Sequence, residues 1–240
     1  MKILKNLDRE VSRAVAFYWA TREAQKQRQA KGGKSDAGFR SAVTGGAQMD
    51  GFISLFAKIV EKAGIAPECI FHKKSLELPG FFRPTKEWDM LVVKDNMLVA
   101  AIEAKSQVGP SFGNNFNNRT EEAMGSALDL WTAFREGAFN GGTPPFLGYF
   151  FMLEDCPASS KPVNVREPHY KVLPEFVGAS YMKRYELFCR KLVLERHYTS
   201  AAFITSRSDL GLDGTYIEPA PDIAAGKFAS VLAASIGAFI

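Results

Sequence analysis

Apolar positions along this chain alternate between two periods, and the switches between them mark out the predicted elements. Val11, Val15, Tyr18, Trp19 and Arg22 share one stripe at three- and four-residue spacing, which predicts a helix over 8–29. Phe52, Leu55, Phe56, Ile59 and Ala63 do the same over 49–64, where Gly64 supplies the stop. ECIFHKK (68–74) then reads as a strand, and LPGFFRPTKE, with its two prolines, as a loop. WDMLVVKDNMLVAAIEAKSQ (88–107) reads as two apolar strands, near 87–93 and 97–106, joined by the polar turn KDN. GPSFGNNFNN reads as a polar loop. Asn118 followed by Glu121 resembles a capping box, predicting a helix that buries Ala123, Met124, Ala127, Leu128, Trp131 and Phe134. GGTPPF breaks the chain before FLGYFFMLED, a continuous apolar run that suits a central strand. A proline-rich loop over 157–174, a helix over 180–195, the strand AAFITS and an apolar C-terminal segment of small residues complete the pattern.

From 49 to 155 the expected order is helix, three strands, helix, strand. That order describes an α/β fold with a central mixed β-sheet flanked by helices. The whole of 1–240 is expected to be a single domain, with an N-terminal helix and basic segment (1–45), a core (46–206) and a C-terminal tail (207–240).

Composition narrows the class. With 46% hydrophobic and 23% charged residues, the 240-residue chain matches a soluble globular protein with a substantial core. No apolar run is long enough to span a membrane, and MKILKNLDREVSRAV is charged too early for a signal peptide. Cys69, Cys156 and Cys189 show no pairing or zinc-like spacing, so a reducing, cytoplasmic location is expected and the sequon at Asn118 carries no weight. His72, His169 and His197 stand alone, without metal-ligand spacing. Charge is unevenly distributed. Residues 1–40 carry ten Lys/Arg against four Asp/Glu, 41–160 ten against fourteen, and 161–200 eight against four. An acidic middle between basic flanks suits a polyanion held by the flanks while the middle collects cations, although random clustering on a solvated surface gives the same tally.

The chemistry concentrates in the hairpin. Asp89, Glu103 and Lys105 sit among residues that otherwise belong in a core. Strand side chains alternate, so Glu103 and Lys105 point the same way. If the turn centres on Asn96, Asp89 lies opposite Glu103, with Cβ atoms roughly 5 Å apart. A slip by one residue pairs Asp89 with Ile102 instead. Both faces of the hairpin are apolar, so hydrophobic pattern does not choose between these registers. Carboxylates about 5 Å apart repel by roughly 3 kcal/mol at an effective dielectric of about 20. Lys105 offsets part of that. A divalent cation offsets more, and two hard carboxylates with the Ala104 carbonyl and water suit Mg²⁺. Such an ion can polarise a phosphoryl oxygen and acidify a water, while Lys105 orients that water or neutralises the transition state. A structural salt bridge is the plain alternative. Asp50, at the start of the second helix, is a candidate third carboxylate, or simply a first-turn acid favoured by the helix dipole.

Placed on the second and third strands of such a unit, Asp89 with Glu103-Ala104-Lys105 resembles the PD-(D/E)xK nuclease superfamily, with Trp88 standing where the motif has proline. RPTKEWD, KSQVGPSFGNNFNNR, EEAMG, REGAF and GASYMKRYELFCRKLV further resemble the XhoI family of type II restriction endonucleases, from about residue 46 to 195. Ala104 departs from the leucine expected there. The resemblance implies Mg²⁺-dependent cleavage of double-stranded DNA within the palindrome CTCGAG, with Asp89, Glu103 and Lys105 catalytic and Asp89 and Glu103 holding the metal. It also implies a homodimer, one subunit per strand, functionally paired with a DNA methyltransferase. Asn114, Asn115, Asn117, Asn118 and Arg119 are candidates for reading bases, and Lys183 and Arg184 for holding phosphates. Arg190, Lys191, Arg22, Lys26, Arg28 and Lys34 could add further phosphate contacts. Two other readings compete with this one: a repair or junction-resolving nuclease with little sequence preference, and a DNA-binding module without catalysis.

Overall fold

The computed structural model describes residues 6–31, 46–140 and 142–240. A five-stranded sheet organises them. Its strands are β1 (Ile70–Phe71), β4 (Met90–Lys94), β5 (Met97–Gln107), β6 (Phe146–Glu154) and β7 (Ser200–Ser206), adjacent in that order. The β1–β4 and β4–β5 pairs are antiparallel, while β5–β6 and β6–β7 are parallel, so the sheet is mixed. β5 and β6 are buried on both faces, which accounts for their nearly unbroken apolar runs.

Two helical layers cover this sheet. One contains α1 (Leu7–Lys31), α2 (Asp50–Lys62) and α5 (Ala225–Ile236), which pack Trp19, Phe52, Phe56 and Phe228 against Ile102, Phe146 and Phe150. The apolar C-terminal segment therefore contributes a core helix. The opposite layer contains α3 (Phe112–Arg135) and α4 (Tyr181–Leu194), packed on Leu147, Tyr149, Phe151 and Phe203. Ser180 caps α4 by accepting from the Lys183 N–H.

Three local readings of the sequence need correction. LPGFFRPTKE is not all loop: β2 (Glu77–Pro79) and β3 (Thr85–Glu87) pair as a small second sheet. Its tip is tied down by buried Asp129 of α3, which accepts the Phe81 and Phe82 N–H groups at 2.7 Å each and the Arg83 Nε at 2.9 Å. Gly80 runs so close to the Asp129 carboxylate that a Cβ there would collide with it. Next, α3 begins at Phe112 with Ser111 as its cap residue, not near Asn118, so the asparagines lie within helix. Phe112, Phe116, Ala123, Ala127 and Leu130 continue one apolar stripe through the Asn-rich stretch, and tertiary burial outweighs the low helix propensity of asparagine. Finally, Met124 and Leu128 are not buried. They are 42% and 51% exposed, because α3 turns Ala123, Ser126, Ala127, Leu130 and Ala133 to the core, which leaves those two on the far side.

Candidate functional site

The register of the β4–β5 hairpin decides where its charges meet. The turn itself is the two-residue type: Lys94 pairs with Met97, and Asp95 and Asn96 take φ of 51° and 61°, as a primed hairpin turn requires. Extended without interruption, that pairing would set Asp89 opposite Ile102. It does not continue. Val93 pairs with Leu98 but Val92 pairs with Ala100, so Val99 is an extra residue, a β-bulge. Val99 and Ala100 accordingly both face the α1/α2/α5 layer, and alternation resumes beyond them. Met90 then pairs with Ile102, and the Asp89 N–H donates to the Ile102 carbonyl at 3.2 Å, which sets Asp89 beside Glu103.

The three side chains converge on the α3/α4 side of the sheet. Lys105 Nζ donates to Asp89 Oδ2 at 2.9 Å and stands 3.3 Å from Glu103 Oε1, so one ammonium serves both carboxylates. Asp89 Oδ2 also accepts the Ala104 N–H at 2.8 Å. A strand residue sends its N–H and C=O to the same edge, so the Ala104 carbonyl is directed past the end of β4, beside Asp89. Glu103 is buried and Asp89 about one-third exposed, so the cluster opens to solvent on one side.

Two further residues complete the surroundings of Glu103. Lys86 Nζ donates to its Oε1 at 3.1 Å and lies 4.1 Å over the Trp88 ring. Tyr198 holds its other oxygen: the hydroxyl has one proton and two acceptors at 3.1 Å, Glu103 Oε2 and the Ala123 carbonyl. Burial works to raise the Glu103 pKa, but the ammonium groups of Lys105 and Lys86 outweigh it and hold the carboxyl below its ordinary range. Burial likewise works against charged Lys105, yet Glu103 and Asp89 keep its pKa above the usual lysine value. Neither Lys86 nor Tyr198 stands out in the sequence by type or motif.

Asp50 lies elsewhere. It sits exposed at the start of α2, on the α1/α2 surface with Glu10, Arg13 and Lys58. Partial burial raises its pKa, with His72 and Lys73 opposing. Among the described residues, no group of three or more carboxylates, histidines and cysteines gathers where it could hold a metal. Any cation at Asp89 and Glu103 would therefore rely on backbone and water for its remaining ligands.

The candidate DNA-contacting residues fall in two places. Asn114, Asn117 and Asn118 are exposed on the first turns of α3, whereas Asn115 and Arg119 are half-buried. Arg119 pairs with Glu122 at 2.7 Å and is near enough to Lys105 to oppose its protonation. On α4, Lys183 pairs with Glu186 at 2.7 Å. Arg184 donates to the Ala179 and Val163 carbonyls at 3.2 and 3.3 Å, with its guanidinium 5.3 Å from the Tyr181 ring centre, so it braces the loop beneath the helix. Arg190 pairs with Asp222 and Glu186, and Lys191 with Glu195. Arg22, Lys26 and Arg28 belong to α1, whereas Lys34 lies outside the described residues.

A family model described as restriction endonuclease XhoI matches residues 28–218, which include both strands of the hairpin, α3, α4 and Tyr198. The chain belongs to the XhoI restriction endonuclease family. Within it, the chain is 57% identical over 193 residues to the type II restriction enzyme BstVI of Geobacillus stearothermophilus, covering 78% of this chain and 86% of that one. It is 48% identical over 194 residues to the type II restriction enzyme XhoI of Xanthomonas vasicola, covering 80% and 77%. It is also 48% identical over 169 residues to AbrI of Azospirillum brasilense, covering 70% and 76%. No solved structure matches. Membership of this family identifies the chain as a type II restriction enzyme, a site-specific endonuclease acting on double-stranded DNA, and the mixed α/β architecture accords with it.

Proposed function

We propose that Asp89, Glu103 and Lys105 form the catalytic centre of a Mg²⁺-dependent enzyme that cuts duplex DNA within CTCGAG, as a cytoplasmic homodimer whose host protects its own sites by methylation. The observation that carries the centre is the single ammonium bridging both carboxylates. Lys105 Nζ occupies a position where one cation neutralises Asp89 and Glu103 together, and the Ala104 carbonyl shares the strand edge on which the Ala104 N–H meets Asp89. Two carboxylates and a carbonyl are hard oxygen donors, so the donor set fits Mg²⁺. When bound, the ion supplies Lewis-acid activation of the scissile phosphate and of a water.

The chain's own residues do the rest. Lys105 and Lys86 keep Glu103 ionised, and Lys86 and Tyr198 hold its two oxygens in place. Lys105, charged at neutral pH and beside both carboxylates that would hold the ion, is placed to orient the nucleophile and to neutralise charge on the phosphate. Exposed asparagines at the start of α3 offer amide groups to base edges, on the helix whose Arg119 comes near Lys105. The CTCGAG site is the reading favoured by the similarity to the enzyme named XhoI.

A plasmid of known sequence tests all of this. Incubation with Mg²⁺ should give discrete fragments ending at CTCGAG, and none with chelator. A smear would indicate a nuclease of low specificity, and wild-type binding without cutting a module of another kind. Glu103→Ala and Lys105→Ala should each slow cutting by on the order of 10²–10³-fold or more while DNA binding persists. A variant that cuts at the wild-type rate removes its residue from the centre.

A further inference from the structure

α3 has a second apolar face that the core does not use. Ala123, Ser126, Ala127, Leu130 and Ala133 point inward, whereas Met124 and Leu128 are exposed and Trp131 is half-exposed. Beside this seam, the Asp129 clamp holds Phe81 and Phe82 outward at 55% and 64% exposure. On its other flank an open cleft of about 480 Å³ is lined by Leu128, Trp131, Val193 and His197. A contiguous apolar row fixed in water by a buried carboxylate calls for a cover.

The order of residues along the seam says what the cover is. In an antiparallel helix pair related by a two-fold axis through Leu128, each residue faces the one equally far from position 128 on the other copy. Trp131 then meets Gly125, which is exposed and has open space where a Cβ would be. Arg135 meets Glu121, both exposed, and Thr132 meets Met124. At roughly 100° per residue, all of these positions fall on the same side of the helix as Leu128. Bulk faces a gap and plus faces minus, twice each by symmetry. A helix matched to its own reverse fits a second copy of itself.

We propose that the Met124–Leu128–Trp131 face of α3 is the two-fold interface of this protein, with Leu128 on the axis, Trp131 seated over the partner subunit's Gly125, and Arg135 paired with the partner subunit's Glu121. The expectation of a two-fold dimer rests on the reading of the enzyme as one that cuts both strands, while the choice of this face, and of a second copy to cover it, rests on the seam. Tyr198, which also borders the cleft, reaches from it to Glu103.

Sedimentation of the full chain tests the interface. Wild type should run at twice its 26.5 kDa chain mass, and Leu128→Arg as a monomer with an unchanged circular dichroism spectrum. Glu121→Arg and Arg135→Glu should each weaken association roughly tenfold, about 1.4 kcal/mol, and the double variant should recover it, since both pairs are restored with reversed sign. Leu128→Cys should give a covalent dimer on oxidation that wild type does not. A monomeric wild type, a Leu128→Arg protein that stays dimeric, or a double variant no better than the singles overturns the interface. Cutting by wild type is scored separately: a dimer through this face that does not cut sinks the endonuclease reading and leaves the interface standing.

Discussion

The two sides of β5 belong to different proteins in all but sequence. Toward α1, α2 and α5 the strand shows Val99, Ala100, Ile102 and Ala104 to a core of phenylalanines and aliphatics. Toward α3 and α4 it shows Glu103, Lys105 and Gln107, met by the hydroxyls of Tyr198 and Tyr185. The Tyr149 hydroxyl, one strand over from Glu103, finds no partner among the described residues. Burying a polar group costs free energy unless it is paired. The second layer pairs Glu103, Lys105 and Gln107 where the first meets mainly apolar side chains of this strand, although Arg22 Nε of α1 also lacks a partner among the described residues. Stability and the proposed chemistry are thus expected to divide between the faces of one sheet, with the first layer stiffening the strand that carries Glu103 and Lys105.

If that division holds, substitutions on opposite faces should separate stability from activity. The largest effect on stability belongs to the first layer. Phe150→Ala removes a ring packed at 4.5 Å from Phe52 and 5.4 Å from Phe56, and should cost about 3–5 kcal/mol in chemical denaturation. The rate per folded molecule should not change, and an activity loss exceeding the folded fraction would show the layers to be coupled. Tyr198→Phe comes next, keeping the ring and deleting the donor to Glu103. Cleavage should fall roughly tenfold, about 1.4 kcal/mol of barrier, with little change in melting temperature. An unchanged rate would reduce Tyr198 to packing.

The smallest effect is on pH. Glu103 is lowered from an ordinary value of 4.5, so its stabilisation of the metal-free fold is complete above that value and is lost as pH falls through the folded value. Lys105 is raised from 10.5, so its contribution is complete below that value and is lost as pH rises through the higher folded one. Metal-free protein should therefore show a flat melting temperature between these limits, with an acid decline that becomes shallower in Glu103→Gln. An equally steep decline in that variant would assign the acid sensitivity to other carboxylates, with Asp129, held low against its partial burial by the Phe81 and Phe82 N–H groups and Arg83, the first to test.

The sheet and its helices were legible in the sequence because their signals are periodic and long: β5, β6, α2 and α4 follow from apolar spacing alone. Asp89, Glu103 and Lys105 were legible because ionisable residues are conspicuous in an apolar run. What escaped was set by contacts distant in sequence. The start of α3 depends on Phe112 and Phe116 meeting aromatics of α4, including Tyr185. The tip of the β2–β3 hairpin depends on Asp129, more than forty positions later. Lys86 and Tyr198 reach Glu103 from 17 and 95 residues away. Met124 and Leu128 were expected inside because amphipathic spacing marks an apolar stripe without saying whether the chain's own core covers it.

The unpaired Val99 has a consequence for how this hairpin can change. Which neighbour Asp89 acquires depends on an odd-or-even count, the residues in the turn plus those left over in the ladder. A turn longer by one residue and a ladder without the bulge would deliver the same partner, so the two irregularities are interchangeable currencies of a single parity. Swapping one for the other should leave the acids side by side, whereas altering either alone would send them to opposite surfaces of the sheet.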